Sequence, residues 1–304
     1  MSDGLSNLNL LRIRRTDESF AASADRLADE VSDTGAFILR TCERLDVLTT
    51  DNDAAAFPNQ LDAHFAGRNA VRELFRVATG LDSKIVGESH ILGQVRSTLR
   101  DATHLQPHVR RVVERSIAVG RAVREASGIG TAGQGYVGAA IAFLAQQELA
   151  SGAIGIVGSG ALGRELAVAV AENLERRVVV FGRHCGRAAL TAAFAGGRAA
   201  SLGEIRCEAP HLAAIVSATS SPRTLITAES LALVADDLPI VDLGEPANVE
   251  LTLANRIGLA DLVEYGAQPR EPIVERAESL VAAAADRYVA AQTTRRVRTA
   301  GAFI

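Results

Sequence analysis

A cysteine between two arginines is the first feature of the sequence that could carry out chemistry. Cys42 directly follows the apolar run 36–39, with Arg40 two residues before it and Arg44 two residues after it. Guanidinium groups close to a thiol lower its pKa and increase the fraction of thiolate, which is the nucleophilic form. Two interpretations fit these residues alone: Cys42 is a half-buried thiol at a strand end, or it is a nucleophile.

The composition indicates a folded protein with room for two cores. The chain has 304 residues, of which 48% are hydrophobic and 22% charged, and these fractions argue against disorder. The net charge of −4 does not favour nucleic-acid binding by the protein as a whole. Seven arginines between residues 96 and 124 nevertheless form a local basic stretch, which suits either phosphate contacts or an ordinary solvated helix face.

The three cysteines bear on the cellular compartment and on metal binding. Cys42, Cys185 and Cys207 are widely spaced, which excludes a zinc ribbon, makes a disulfide scaffold improbable and leaves no metal site to predict. The N-terminus shows no secretory pattern, and the apolar windows are too short to span a bilayer. We therefore expect a cytoplasmic protein with free thiols and no membrane contact.

The first half of the chain predicts a small α/β unit followed by helices. Strands are predicted over residues 8–14, 35–40 and 45–50, with a helix over 17–31 and the Cys42 turn between the last two strands. From about residue 58 to 126 the apolar periodicity is helical. Residues 80–95 interrupt it with three glycines, which predicts a loop that passes close to another group.

The second half contains a nucleotide-binding pattern. An apolar strand leads into Gly158-Ser-Gly160-Ala-Leu-Gly163 and an amphipathic helix, and a second strand follows at 177–181. This context favours a dinucleotide site over a chance G-x-G-x-x-G match. The second strand ends near Arg183 with no acidic residue, which suits a ribose 2′-phosphate and therefore NADP(H); the alternative is that Arg183 only faces solvent.

Strands at 211–217 and 238–242 complete the alternation, so we predict a doubly wound sheet with its ligand at the carboxyl ends of the strands. The predicted fold is α/β, with three parts separated by the glycine-rich linker 126–136 and by the start of a long C-terminal helix. The parts are an α+β catalytic and substrate domain (1–135), a Rossmann-like NADP-binding domain (136–268) and a C-terminal helix (269–304).

Several segments, in order, resemble one family, the glutamyl-tRNA reductases of tetrapyrrole biosynthesis. The segment 41–44 (Thr-Cys-Glu-Arg) is similar to the family's Thr-Cys-Asn-Arg motif. Segments 74–83 and 87–95 follow its longest signature, and the glycine loop and the segments 217–222 and 240–246 resemble its later motifs. The resemblance extends from about residue 36 to 290.

The resemblance implies a two-step reduction. The cysteine thiolate attacks the ester of glutamyl-tRNA to give a thioester and free tRNA, and NADPH then reduces the thioester to glutamate-1-semialdehyde. It also implies an acyl-tRNA partner, and a downstream semialdehyde aminotransferase as a second one. Against the family pattern we expect this chain to lack the C-terminal dimerisation domain and to end within a truncated connecting helix, so the oligomeric state stays open.

Transferred to this chain, the resemblance assigns three groups of residues. The catalytic residues are Cys42, Glu73 and His90. The substrate-binding residues are Thr41, Glu43, Arg44, Ser83, Glu88, Ser89 and Gln94, with Arg44 as the partner of a carboxylate. The cofactor-binding residues are Gly158, Ser159, Gly160, Ala161, Leu162, Gly163, Arg183 and Thr219.

Three departures from the family pattern leave the substrate open, and the missing dimerisation domain is one of them. Glu73 replaces the family's usual histidine before Leu-Phe-Arg-Val-Ala, and Ser89-His90 replaces the usual Pro-Gln. Either Glu73 or His90 would then take the role of that histidine. Two alternatives to glutamyl-tRNA reduction follow: a divergent paralogue that reduces another acyl-tRNA or a carrier thioester, or a non-catalytic homologue that binds tRNA or a protein partner.

Overall fold

The computed structural model describes most of the chain, with gaps at the termini and in several loops. The described residues are 7–15, 20–31, 33–41, 43–50, 61–88, 90–130, 135–219, 221–234, 237–244 and 246–301. Two predicted site residues, Cys42 and Ser89, lie outside these ranges. Within the described ranges, no helix combines the length and the apolar character needed to cross a bilayer.

The helices and strands are as follows, in chain order. The N-terminal elements are β1 (Asn9–Arg14), α1 (Phe20–Glu30), β2 (Phe37–Arg40), β3 (Arg44–Thr49), β4 (Ala63–Ala66), α2 (Arg68–Thr79), α3 (His90–Asp101) and α4 (Pro107–Ser127). The central elements are α5 (Gly135–Ala145), β5 (Ala153–Val157), α6 (Ala161–Asn173), β6 (Val178–Gly182), α7 (Cys185–Ala193), β7 (Arg198–Ser201), α8 (Ile205–Glu208), β8 (Leu212–Ser217), β9 (Ile240–Asp242), β10 (Arg256–Gly258) and α9 (Leu259–Leu262). The last element is α10 (Glu271–Gly301).

The chain divides into two compact units. The first comprises Met1–Thr131 together with Pro269–Ile304, and the second comprises Ala132–Gln268. The C-terminal helix α10 therefore groups with the N-terminal elements, where it packs against α2 and α4.

The first unit is built on a four-stranded antiparallel sheet in the order β2-β3-β1-β4. Alternate residues of β1 serve opposite faces, as the two-residue period of a strand requires. Leu10 joins the core formed with α2, α3, α4 and α10, whereas Leu11 joins the core beneath α1. Both faces of the sheet are thus covered by helices.

One sequence prediction in this unit is wrong. The interval from residue 58 was predicted to be helical, yet Ala63–Ala66 forms β4 and pairs with β1. The strand has only four residues, which alternate between half-buried and exposed, and two of them are alanines. Pairing with β1, rather than any intrinsic strand preference, explains its conformation.

The second unit is a six-stranded parallel sheet in the order β10-β9-β8-β5-β6-β7. The strand order reverses between β5 and β8, the point where doubly wound sheets bind ligands. The predicted fold class, an α+β part followed by a Rossmann-like part and a C-terminal helix, is confirmed. The short strands β7 and β10 were not predicted.

Candidate functional site

The described residues on either side of position 42 join β2 to β3 through a set of hydrogen bonds. The amide of Thr41 donates to the carbonyl of Arg44 at 2.9 Å. The Thr41 hydroxyl oxygen accepts hydrogen bonds from the amides of Glu43 (3.2 Å) and Arg44 (3.1 Å). Thr41 therefore fixes the turn around the predicted nucleophile with its side chain as well as its backbone.

The segment 80–88 forms a closed loop that packs beside this turn. Gly80 ends α2 with a φ of 83°, and a Cβ at this position would lie 2.8 Å from the carbonyl oxygen of Glu88. Arg124 of α4 donates to the carbonyls of Thr79 (2.8 Å), Gly87 (2.6 Å) and Glu88 (2.9 Å). The predicted loop character of residues 80–88 is explained by these contacts, whereas the chain from His90 onward is α3.

The turn and the loop are joined by two residues predicted to bind substrate. Arg44 donates from Nη1 to the carboxylate of Asp82 at 2.8 Å and to its carbonyl oxygen at 2.6 Å. The Glu43 carboxylate accepts from the amide of Lys84 at 3.4 Å. The structure thus brings Thr41, Glu43 and Arg44 against the loop that contains Ser83.

A buried group of charges lies behind the turn, and Arg12 is at its centre. Arg12 binds Asp46 with Nε (2.6 Å) and Nη2 (2.9 Å), and its Nη1 donates to Glu73 (2.7 Å) and Asp82 (2.8 Å). Burial by itself would lower the pKa of Arg12, but these carboxylates outweigh it and raise the pKa above its ordinary value. We call Arg12, Arg44, Asp46, Glu73 and Asp82 the buried charge cluster.

Asp82 is shared by three arginines. In addition to Arg12 and Arg44, Arg14 donates to both of its carboxylate oxygens, at 3.0 and 3.1 Å. Burial alone would raise the pKa of Asp82, but the surrounding guanidinium groups outweigh it and hold that pKa below its ordinary value. Asp82 is therefore an ionised acceptor at neutral pH.

Glu73 occupies the position of the family's usual histidine, and both of its oxygens are bound by arginines. Oε1 accepts from Arg12 at 2.7 Å, and Oε2 accepts from Arg76 at 3.0 Å. Arg76 also donates to Glu278 of α10 at 2.8 Å. These contacts suit a counter-charge better than a base that must accept a proton from substrate or thiol.

The remaining predicted residues of this unit lie at the start of α3 or in the loop before it. The carboxylate of Glu88 caps α3 by accepting from the amides of His90 and Ile91, each at 2.8 Å. Its burial raises the pKa of Glu88. Ser83 is buried, His90 is half-buried at the first residue of α3, and Gln94 is exposed one turn further on.

The glycine loop of the second unit lies at the reversal point of its sheet. A Cβ on Gly158 would come 2.4 Å from the carbonyl oxygen of Ala218, which follows β8, and one on Gly163 would come 2.0 Å from the carbonyl oxygen of Gly158. Apart from its chain neighbours, no described residue lies within 4 Å of the position of a Cβ on Gly160. The first and third glycines are needed for packing, and the second leaves an open approach to the N-terminus of α6.

The other predicted cofactor residues surround this loop. Ser159, Ala161 and Leu162 lie between these glycines or at the start of α6, and Arg183 is exposed directly after β6. Thr219 is half-buried after β8, where its hydroxyl oxygen accepts from the amide of Ser221 at 3.2 Å. All of them lie at the carboxyl end of the sheet.

Sequence reasoning missed Arg12, Asp46 and Asp82. Their contacts join positions that are 34 to 70 residues apart, which no local pattern reveals. The available indication was the unusual placement of an arginine inside the apolar run of β1, because a buried guanidinium requires carboxylate partners.

The two units match two different family profiles. Residues 10–127 match the family described as "Glutamyl-tRNAGlu reductase, N-terminal domain", and residues 141–263 match the family described as "Shikimate / quinate 5-dehydrogenase". A solved structure of glutamyl-tRNA reductase from Methanopyrus kandleri covers 97% of this chain and 81% of its own, with 25% identity and a TM-score of 0.49.

Curated relatives match across both units. The glutamyl-tRNA reductase of Methanoregula boonei is 32% identical over 71% of this chain. This chain spans 56% of that relative's length and 61% of the length of the relative from Caldivirga maquilingensis. Glutamyl-tRNA reductase 2 of a Nocardioides species is also 32% identical, with 86% of this chain and 68% of the relative covered. This last match spans both units and two thirds of a relative, and it shows that the chain belongs to the glutamyl-tRNA reductase family.

Proposed function

We propose that the protein is an NADPH-dependent oxidoreductase that reduces glutamyl-tRNA to glutamate-1-semialdehyde through a thioester on Cys42. The observation that carries the proposal is the Thr41–Arg44 turn, which is bound to the loop 80–88 by Glu43 and Arg44 in a chain of the glutamyl-tRNA reductase family. The contacts of Glu43 and Arg44 with this loop support the proposal, because both residues flank the predicted nucleophile in the sequence and the loop contains the predicted substrate residue Ser83.

In the proposed reaction, the Cys42 thiolate attacks the carbonyl carbon of the ester, and the terminal hydroxyl of the tRNA leaves with a proton. A guanidinium near the thiol favours the thiolate, and Arg40 and Arg44 each lie two residues from Cys42 in the sequence. The Arg44 side chain is 1% exposed and donates to Asp82, so it connects the turn to the loop 80–88. Binding a substrate carboxylate through Arg44 would require part of that contact to be exchanged.

The second unit fits a nicotinamide dinucleotide. The open position at Gly160 lets a pyrophosphate approach the N-terminus of α6, where the first backbone amides have no partner within the helix. Ser159, Ala161 and Leu162 would bind the pyrophosphate, Thr219 would line the site, and Arg183 would bind a 2′-phosphate. When bound, NADPH supplies the hydride that reduces the acyl group to an aldehyde.

The experiment is a coupled assay with purified protein, glutamyl-tRNA and NADPH. We expect NADPH consumption and semialdehyde formation, and we expect Cys42→Ser to abolish both. Cys207→Ser is the matched control, because Cys207 is an exposed free cysteine far from the turn in sequence, on α8. Absence of both thioester and aldehyde with the unmodified protein would refute the proposal.

A second candidate is a paralogue that reduces another acyl group, and the pairing of Glu73 with Arg12 and Arg76 favours it. A site with a different charge where the family has histidine would suit a different acyl donor, either another acyl-tRNA or a carrier thioester. The mass of the adduct trapped on Cys42 would identify the acyl group. In either case an aldehyde product suits a partner that consumes it, such as the predicted semialdehyde aminotransferase.

A further inference from the structure

Three residues of the buried charge cluster project from one face of the antiparallel sheet. Arg12 on β1 is the direct cross-strand partner of Asp46 on β3. Arg44 lies two residues before Asp46 on the same strand and therefore points to the same face. The three side chains meet Glu73 of α2 and Asp82 of the loop 80–88.

Arg12 and Arg44 bind the same two carboxylates. Arg44 Nη1 binds Asp82 at 2.8 Å, and its Nε lies 3.2 Å from Asp46. Arg12 approaches these carboxylates with three of its own contacts, at 2.6, 2.8 and 2.9 Å. The carboxylates that fix Arg44 are therefore themselves fixed by Arg12.

The charges of this cluster depend on each other because the groups are buried. Both guanidinium groups are 1% exposed, and the Asp46 side chain is 2% exposed. An isolated charge in such surroundings costs several kcal/mol, so each member is tolerated only together with its partners. Glu73 supplies the third carboxylate of Arg12, and Arg76 binds its other oxygen.

We propose that Arg12 is a positioning residue for the reaction, and that Glu73 serves as its counter-charge rather than as a general base. Arg12 holds Asp46 and Asp82, these carboxylates hold Arg44, and Arg44 holds the turn that contains residue 42. The proposal rests on the proposed function only for the identity of the substrate.

The activity test uses three variants: Arg12→Gln, Glu73→Gln and the double variant Arg12→Gln/Glu73→Gln. Each is compared with the control variant Arg14→Gln. Arg14 is the matched control because it also binds Asp82. Its side chain is 43% exposed, and Asp82 is the one carboxylate of the cluster that it contacts. We expect Arg12→Gln to lower kcat/KM for glutamyl-tRNA about 10- to 100-fold, with the KM for NADPH changed by less than about twofold. We expect Arg14→Gln to stay within about threefold of the original protein.

The double variant separates a counter-charge from a base. If Glu73 is a counter-charge, the activity loss of Arg12→Gln/Glu73→Gln should be at least about threefold smaller than the product of the two single losses, because both changes remove the same Arg12–Glu73 contact. A base predicts multiplicative losses, together with loss of the acidic limb of the pH profile in Glu73→Gln alone. The second pattern would overturn the proposal.

A second readout does not depend on the substrate. The rate of Cys42 alkylation by iodoacetamide can be measured in a Cys185→Ser/Cys207→Ser background, because both of these cysteines are exposed. We expect Arg12→Gln to lower this rate about tenfold and Arg14→Gln to leave it unchanged. Displacement of Arg44, which lies two residues from Cys42 in the sequence, removes a cation that favours the thiolate. Equal rates in the two variants would overturn the proposal even if the enzyme is active, whereas a protein inactive on glutamyl-tRNA would refute only the proposed function. If Arg12→Gln does not fold, the same comparison is made with Arg12→Lys. Lysine keeps the positive charge but cannot bind a carboxylate with two parallel hydrogen bonds as the guanidinium group does.

Discussion

Arg14 on β1 and Arg44 on β3 are direct cross-strand partners, and the carboxylate of Asp82 lies between them. Two like charges opposite each other destabilise a sheet unless an anion separates them. Asp82 belongs to the loop 80–88, so the sheet and the loop depend on each other for charge balance. This contact connects the turn around residue 42 with the predicted substrate loop.

Replacing Arg44 by methionine should therefore destabilise the protein strongly. The change leaves the buried Asp46 and the half-buried Asp82 with fewer cations, and breaking a buried pair costs about 3–5 kcal/mol. Chemical denaturation would measure the free energy of unfolding. Arg40→Met is the control from the same hairpin: Arg40 pairs with Asp25 in an exposed contact, for which about 0–1 kcal/mol is expected. Equal losses in the two variants would contradict the role given to the cluster.

The stability contributed by Asp82 should depend on pH. Its pKa lies below the ordinary value of 3.8, so the contribution is complete above about pH 4–5 and is lost as the pH falls through the lowered pKa. We expect the difference in unfolding free energy between the original protein and Asp82→Asn to narrow on acidification from pH 6 to about pH 3. Asp25→Asn, in the exposed pair with Arg40, provides the reference. A difference that is constant over this range would argue against an ionised Asp82 in the cluster.

Alanine variants of two glycines in the second unit should affect different properties, one the affinity for NADPH and the other the stability of the fold. Gly160→Ala places a methyl group where no described residue other than its chain neighbours lies within 4 Å, so the melting temperature should be unchanged. The affinity for NADPH should fall about tenfold or more, because the methyl group occupies the approach of the pyrophosphate. Gly163→Ala brings a Cβ within 2.0 Å of the Gly158 carbonyl oxygen and should instead lower the melting temperature. Titration by intrinsic or NADPH fluorescence and thermal unfolding would distinguish these effects, and unchanged NADPH binding in Gly160→Ala would contradict the assignment.

Arg183 should determine the preference for NADPH over NADH. It is exposed directly after β6, and Arg183→Ala removes the cation predicted to face the 2′-phosphate. We expect the ratio of NADPH to NADH affinity to fall about 10- to 100-fold, with NADH affinity nearly unchanged. Arg177→Ala is the matched control, since Arg177 is also exposed but precedes β6. An unchanged ratio in Arg183→Ala would show that the side chain only faces solvent.

Much of the fold could be predicted from the sequence because its main elements are locally determined. The apolar runs of β1, β2 and β3, and the strand, glycine turn and helix around Gly158, carry their own patterns. The short strands β4, β7 and β10 lack such patterns. Arg198–Ser201 contains two alanines, and only pairing with β6 makes it a strand.

The site could be predicted only in part, for a similar reason. Residues close in sequence to a motif, such as Thr41, Glu43 and Arg44, are brought together with the loop 80–88. The Arg12 partner of Glu73 could not be predicted, because it lies 61 residues away on another element, whereas Arg76 is at the i,i+3 spacing on the same helix and could have been considered. Sequence reasoning therefore identified Glu73 as a departure from the family pattern without finding the arginines that bind it.

The most direct test of the proposed function is the acylation of Cys42. The protein would be mixed with radiolabelled glutamyl-tRNA in the absence of NADPH, and the labelled peptide would be identified by mass spectrometry. We predict a glutamyl thioester on the peptide that contains Cys42, which disappears with release of semialdehyde when NADPH is added and is missing in Cys42→Ser. A glutamyl group that remains on the tRNA, or label on Cys185 or Cys207 instead of Cys42, would contradict the proposed function.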